Sequence, residues 1–551
     1  MINWEFTLVA EARSGESFNM TPVQLTGASS VRALGHRVGK HFALTGLLVI
    51  TAVIAQFHTL TRIPGAPPAR VRRAPHPAPH GQHPPTRTES LTLMTLTTPR
   101  ELPTAGSRNL LGGALAFKRD QLDFLAHNIA RHGDLFRFRP LGIPMVLANH
   151  PDHIQHILVN GEHRYDKDAT IFRVVRPVLR DGLISIADKE RWGRQRRMMA
   201  PHFTPRAVVG FAENMTDETV NLLERWERRP SPDAVLDVTE EIGQLALRIV
   251  NRSLFSADVS AAAQRFERAF GEANDVLGSF FRFPVPPLSW PTPRRRRLRR
   301  AIDDMDRFVS GVIRERTDQI AAGQSQAAKS DLLTLLMHST DDDGNGMDPE
   351  QLHHEVLNLC IGAFETTTNT LSWAFYLLAR HPQVEARLHE EVDRVLGGRV
   401  PRFDDLPQLV YTRMIIDETL RIYSPAYQTM RHAREDDVID GYRIPAGSNV
   451  LINSYLLHRH REFWPNPETF DPENFTPERV AKRPKHAYVP FGSGQRVCIG
   501  KHFALTELML VLATVARGHR LLLPDGAPTV APEPLITLHP RGGIHLRLAR
   551  R

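Results

Sequence analysis

Residues 490–500 read Pro-Phe-Gly-Ser-Gly-Gln-Arg-Val-Cys-Ile-Gly, and no other stretch so narrows what the chain can fold into. Gly492, Gly494 and Gly500 disfavour a helix interior or a strand, because glycine loses the most backbone entropy on ordering. They allow positive φ and close approach of backbone to a flat partner. The segment therefore reads as a strained loop that aims Cys498 in one direction. Apolar residues recur at helical spacing over 501–512, so a helix N-terminus follows the loop. Its positive end and the loop N–H groups favour a thiolate. Arg496, two residues before the cysteine, offers a cation for a carboxylate. A single soft ligand with no CxxC or HxxH companion argues against zinc and suits a metal already held by four other ligands. By residue type alone, an inert buried cysteine in a glycine turn is the simpler reading.

The only other cysteine is Cys360, so no disulfide framework exists and a reducing, cytoplasmic setting is expected. Cys360 lies among apolar residues in a helical stretch and reads as core. Apolar residues make up 41% and charged residues 24% of 551, which excludes a disordered or collagen-like chain. The net charge of +8 is uneven: residues 1–100 carry +6 and the remaining residues only +2. The one basic stripe of the body, 294–300, has no spaced aromatic residues beside it, so nucleic acid is not an expected partner.

Residues 1–95 read as an N-terminal extension. Its apolar run 42–57 is 16 residues long, short of the roughly 20 a spanning helix needs. A proline-rich linker, 64–85, follows; its His76, His80 and His83 read as a solvated tail. Three readings stay open: an anchor touching a membrane through 42–60, a removed or disordered leader, or a true start at Met94.

The body, 98–551, reads as one large domain, mainly α with a small β region. Helical periodicity marks 211–226, 262–274, 301–320 and 347–395. Asp348-Pro349 is an N-cap followed by proline at the first helical position, and His381-Pro382 stops the helix near Arg380. Strands are predicted at 135–139, 144–148, 438–444, 449–453 and 544–548. The run 341–346, Asp-Asp-Asp-Gly-Asn-Gly, resembles the start of a calcium loop. Position 12 is Leu352 rather than glutamate, so it reads as an acidic turn.

Taken together, Phe491, Gly494, Arg496, Cys498 and Gly500 match F-x-x-G-x-R-x-C-x-G, which resembles the haem-binding loop of the cytochrome P450 family. Glu418-Thr-Leu-Arg421 matches the family's E-x-x-R, and 470–475 resembles F-x-P-E-R-F with Asn474 where arginine is usual. Gly362-Ala-Phe-Glu-Thr-Thr367 resembles A/G-G-x-D/E-T-T, with Ala363 at a position usually held by glycine. Trp192-Gly-Arg-Gln-Arg196 matches W-x-x-x-R. Five motifs in the family's order span about 98–551.

The resemblance implies a P450 fold with a single haem domain. It implies haem b with Cys498 as the proximal thiolate on iron, Phe491 near the sulfur and Gly492 and Gly494 shaping the loop. Arg496, Trp192, Arg196 and Arg431 would reach the propionates. Glu418, Arg421 and Asn474 would form a buried structural group. Thr366 and Glu365 would deliver protons during dioxygen reduction, with Thr366 and its neighbours opening the helix locally. Gly362, Ala363 and Phe364 would wall the substrate pocket, together with 171–186, 277–290 and 426–430. Those segments are mostly apolar and favour a lipophilic substrate. Phe280, Phe281, Phe283 and Trp290, set among prolines, read as an apolar lid.

The implied activity is a monooxygenase that inserts one oxygen atom from O2 into a C–H bond, acting as a monomer. No G-x-G-x-x-G fingerprint occurs, so electrons would come from a separate ferredoxin or flavoprotein reductase. Arg191, Arg194, Arg197, Lys482, Arg483, Lys485 and Lys501 offer a positive docking face. The rival readings are a haem-thiolate peroxygenase or isomerase, a non-enzymatic haem-binding sensor and a Cys–His acyl hydrolase.

Overall fold

The computed structural model describes residues 99–106, 114–140, 143–229, 235–255, 260–282, 292–323 and 331–551. The N-terminal extension 1–95 and the lid residues Phe283 and Trp290 lie outside them, as do the side chains of Phe280 and Phe281.

Eleven helices of ten or more residues make up nearly half of the described chain. They are α1 (Gln121–His132), α2 (Thr170–Leu179), α3 (Lys189–Met199), α4 (Ala212–Glu227), α5 (Val238–Phe255), α6 (Ser260–Arg282), α7 (Pro293–Ala321), α8 (Pro349–Arg380), α9 (Pro382–Leu396), α10 (Val410–Ile422) and α11 (Lys501–Ala516). No described helix is long and apolar enough to cross a membrane.

Helix α8 starts where the Asp348 side chain accepts from Gln351 N, and Pro349 fills the first turn. It runs 32 residues, about 48 Å at 1.5 Å per residue. Most of its side chains are buried, because α5, α10 and α11 all pack against it. Helix α11 is buried all round from Leu505 to Ala516 and forms the second core element.

The strands are β1 (Leu135–Phe138), β2 (Met145–Ala148), β3 (Tyr165–Asp166), β4 (Val235–Asp237), β5 (Gln428–Ala433), β6 (Asp437–Ile439), β7 (Tyr442–Ile444), β8 (Asn449–Asn453), β9 (His519–Leu522), β10 (Pro532–Pro534), β11 (Leu538–Pro540) and β12 (His545–Arg550). The largest sheet has the order β1-β2-β8-β5-β3. All its neighbours are antiparallel except β2 and β8. A three-stranded sheet, β4-β12-β9, and two hairpins complete the β structure.

One strand expectation is corrected. Residues 438–444 form a hairpin, β6–β7, instead of one strand, because Asp440 and Gly441 both adopt positive φ (52° and 75°). The acidic turn at 341–346 carries its own cation. Arg194 Nε donates to Asp341 Oδ2 at 2.6 Å and its Nη2 to Asn345 O and Gly346 O. The guanidinium thus occupies the loop that a calcium ion would need.

Candidate functional site

The cysteine loop is shaped by backbone bonds. Cys498 N donates to Phe491 O at 2.9 Å, and Val497 N to Gly494 O at 3.1 Å. Gly492 and Gly494 both have φ of 73°. A Cβ on Gly494 would lie 1.8 Å from Leu158 O, so only glycine lets the loop pass that turn of chain. Gly500 is the N-cap of helix α11, and its N–H points at the sulfur. Cys498 remains accessible, yet the surrounding protein pushes its thiol up. The Gly500 N–H, Arg196 and Lys501 pull the other way.

Four cations gather beside this loop. Arg196, on α3, donates from Nη1 to Val497 O at 2.8 Å, joining that helix directly to the loop. Arg496 donates to Ile186 O at 2.9 Å, with its guanidinium 4.5 Å from the centre of the Trp192 ring. Arg431, on β5, is buried and donates to Thr429 Oγ1 and Met430 O. Lys167, which the sequence reading missed, donates to Ile184 O at 2.7 Å. None of the four forms an ion pair with a described carboxylate. Burial and repulsion from the neighbouring cations hold Lys167 well below the ordinary lysine range and push Arg431 down to about 10, and burial alone pushes Arg496 down to about 10 against the pull of Asp166 and Glu162. Buried like charges without counter-ions are costly, so this cradle fits a bound dianion. The donor set therefore fits haem: a thiol for iron and four cations for two carboxylates.

Helix α8 presents an accessible stripe. Leu359, Gly362, Ala363 and Thr366 are partly exposed, while Phe364, Glu365 and Thr367 are buried. The spacing i, i+3, i+4, i+7 places these four on one face. Leu359 was not singled out from the sequence. Gly362 faces Ile184: a Cβ there would lie 3.7 Å from Ile184 Cδ1. Phe364 departs from its expected place as pocket wall. It is buried edge-on against Phe270 and Phe266, with centroids at 5.4 and 6.0 Å, in the packing between α6 and α8. The expected local opening of the helix does not occur. Thr366 Oγ1 donates to Gly362 O at 2.8 Å within a helix that stays continuous. In the region 426–430, Tyr427 is core, its OH donating to Leu535 O at 3.0 Å.

The Glu365 carboxylate turns away from the Thr366 stripe. Its Oε1 accepts from Thr537 Oγ1 at 2.7 Å and Asn369 Nδ2 at 3.1 Å, and lies 2.5 Å from His539 Nε2. Burial opposes its charge, but His539 and these hydrogen bonds hold its pKa below the ordinary glutamate value. A further buried carboxyl, Glu507 on α11, accepts only from Thr367 Oγ1 among described groups. Burial pushes it up to about 8, which favours its neutral form.

Behind the loop, Arg421 and Glu418 are fully buried. Arg421 donates from Nε and Nη2 to the two Glu418 oxygens, both at 2.7 Å. Its remaining N–H groups go to the carbonyls of His458, Pro467 and Thr469. Asp471 N and Asn474 Nδ2 donate to Glu418 Oε1 at 2.9 and 3.2 Å. Asn474 thus joins the pair through its amide, although it carries no charge.

Two members of the expected docking face are corrected. Arg194 is committed to the 341–346 turn, and Arg483 stacks 3.7 Å from the centre of the Trp464 ring. Arg191, Arg197, Lys482, Lys485 and Lys501 are exposed.

Comparison with known proteins follows the same lines. The family described as cytochrome P450 matches residues 102–547. Cyclooctatin synthase of Streptomyces melanosporofaciens is 35% identical over 79% of this chain and 92% of its own. Cyclooctat-9-en-7-ol 5-monooxygenase of the same organism is 35% identical over 76% and 88%. Pentalenene oxygenase of Streptomyces avermitilis is 33% identical over 81% and 96%.

Proposed function

Because the chain belongs to the cytochrome P450 family of haem-thiolate monooxygenases, we propose that Cys498 is its axial thiolate and that its substrate is a cyclic terpene-type hydrocarbon. The observation that carries the assignment is the accessible Cys498 beside four cations with no described carboxylate partner. When bound, haem supplies dioxygen activation, which thiolate donation promotes. The protein's part is to hold and to deliver. Lys167, Arg196, Arg431 and Arg496 hold the propionates. The bond from Cys498 N to Phe491 O fixes the sulfur's direction. Leu359, Gly362, Ala363 and Thr366 present small and apolar groups to the substrate. Glu365, ionised beside His539 and Thr537, takes up a proton there and passes it to the Thr366 face by rotating its carboxyl group. Three relatives carrying terpene-product or oxygenase names support the substrate class.

Electrons come from a separate protein of acidic surface. Lys485 borders, with Ser493 and Gly494, a surface notch of about 380 Å³ next to the cysteine loop. Exposed Arg191, Lys482 and Lys501 add positive charge to that docking face.

The test is reconstitution of the full chain with a ferredoxin, its reductase and a panel of cyclic terpene hydrocarbons under labelled O2. Products heavier by one labelled oxygen are expected. Label entering only from peroxide would make the enzyme a peroxygenase. Preference for linear fatty acids over every cyclic hydrocarbon would overturn the substrate class.

A further inference from the structure

The hairpin β10–β11 reaches in between α6 and α8 and brings His539 to Glu365. The hairpin is pinned at several points. Leu538 N donates to Pro425 O, and Ile536 N to Asn274 Oδ1 on α6. Thr537 Oγ1 donates to Glu365 Oε1. A Cβ on Gly278 would lie 2.6 Å from Leu535 Cδ2, so α6 and the hairpin fit closely. The position of His539 is thereby set by backbone and is not a side-chain accident.

His539 Nε2 stands between two unlike groups. On one side is Glu365 Oε1 at 2.5 Å; on the other is Asn274 Nδ2 at 2.9 Å. The Ile536 N–H fixes the Asn274 amide with its oxygen toward the hairpin and its nitrogen toward the ring. A protonated Nε2 donates to Glu365. A deprotonated Nε2 accepts from Asn274. Each protonation state of the ring thus has a partner in place, which an arginine or lysine at this position would not have. The ring is 24% exposed on its side chain, so it also reaches water. Glu365, at 7%, does not.

We infer that His539 is a positioning residue that carries protons from solvent to Glu365 during oxygen activation. The inference rests on the reading of Glu365 as the proton donor. The Nε2–H bond of the imidazolium breaks and the Glu365 Oε1–H bond forms. The pair becomes neutral, and Asn274 Nδ2 then donates to Nε2. The imidazole regains a proton from bulk water. The reaction O2 + RH + 2e⁻ + 2H⁺ → ROH + H2O consumes two protons per turnover, and the redox partner supplies the electrons.

Several groups face this pair. Helix α8 contributes Glu365 and Asn369; the hairpin contributes Thr537 and Glu533; α6 contributes Asn274, Asp275 and Glu267; Glu240 on α5 and Arg268 lie by Glu267. Burial alone lowers His539, but Glu365, Glu533 and Asp275 together hold it above the ordinary histidine value. The donor form therefore persists below that raised pKa and is lost as pH rises through it.

The experiment uses the full-length holoenzyme with the reductase system and the cyclic terpene turned over fastest, comparing wild type, His539→Gln, His539→Ala and Glu365→Gln. His539→Gln is expected to lower coupled turnover about tenfold, less than a direct acid would because water replaces part of the relay. It should also raise the solvent isotope effect and flatten the alkaline fall of the pH profile. Added imidazole should restore His539→Ala. Independently of activity, the His539 ring resonance should titrate above the ordinary value in wild type and lower in Glu365→Gln. If Glu365→Gln loses coupling while His539→Gln keeps rate, isotope effect and pH profile, His539 is only structural and the inference is wrong. If Glu365→Gln itself keeps full coupling, the reading of Glu365 fails and takes the inference with it.

Discussion

Replacing Arg421 with leucine tests whether the buried pair behind the cysteine loop holds the fold together. Arg421 spends all five N–H donors inside the protein: two on Glu418 and three on the carbonyls of His458, Pro467 and Thr469. Its removal leaves the Glu418 carboxylate fully buried with only Asp471 N and Asn474 Nδ2 as donors. An uncompensated buried charge costs about 3–5 kcal/mol. Each stranded carbonyl adds about 1 kcal/mol or more. The sum, discounted for overlap, is about 5 kcal/mol or more, comparable to the whole stability of a typical domain. Arg421→Leu should therefore yield little folded protein. Glu418→Leu with Arg421→Leu leaves no buried charge and should fold better than Arg421→Leu alone. Arg421→Lys keeps the charge but loses the fork, and should fall between them. The assay is the denaturant midpoint by circular dichroism, with the yield of soluble holoenzyme beside it. A midpoint for Arg421→Leu within about 1 kcal/mol of wild type, or a strictly additive double-mutant cycle, would refute the reasoning.

Three further outcomes follow from the site. Gly494→Ala must place a Cβ against Leu158 O at a positive φ; the loop should shift and haem content should fall severalfold at normal expression, measured as the haem-to-protein absorbance ratio. Lys167→Met removes one of four clustered cations, so apoprotein melting temperature should rise while haem is lost faster to an apomyoglobin trap. Glu507 has its folded pKa raised to about 8 from an unfolded value near 4.5. Its contribution to stability is then greatest below pH 4.5 and is lost as pH rises through 8, on the order of a few kcal/mol. Glu507→Gln should flatten that loss between pH 5 and pH 8 in thermal melts.

The sequence made the long helix legible to within two residues, because Asp348-Pro349 and His381-Pro382 are unambiguous start and stop signals. The same signal, Thr292-Pro293, opens α7, yet the apolar period shows only from 301 because the first turns are arginine-rich. Strand β5 carries no such signal, since its residues mix polarity and its burial does not alternate. The Asp440-Gly441 turn has a local signal, two adjacent residues that tolerate positive φ. Of the site, Cys498, Arg196, Arg496 and Glu418 sit in local motifs and could be named. Lys167, Glu507 and His539 have no such frame. They matter through what the fold brings beside them, from segments far apart in the chain. Phe364 was misplaced for the opposite reason: the motif gave its position, but its rotation was set by Phe266 and Phe270 on another helix.

The most direct test of the whole account is the reduced carbon-monoxide difference spectrum of the full chain beside Cys498→Ser. Thiolate ligation predicts a far-red-shifted Soret band in the wild type that disappears in the variant. Folded protein that binds no haem, or a spectrum unchanged by the substitution, would contradict the assignment of Cys498 as the axial ligand.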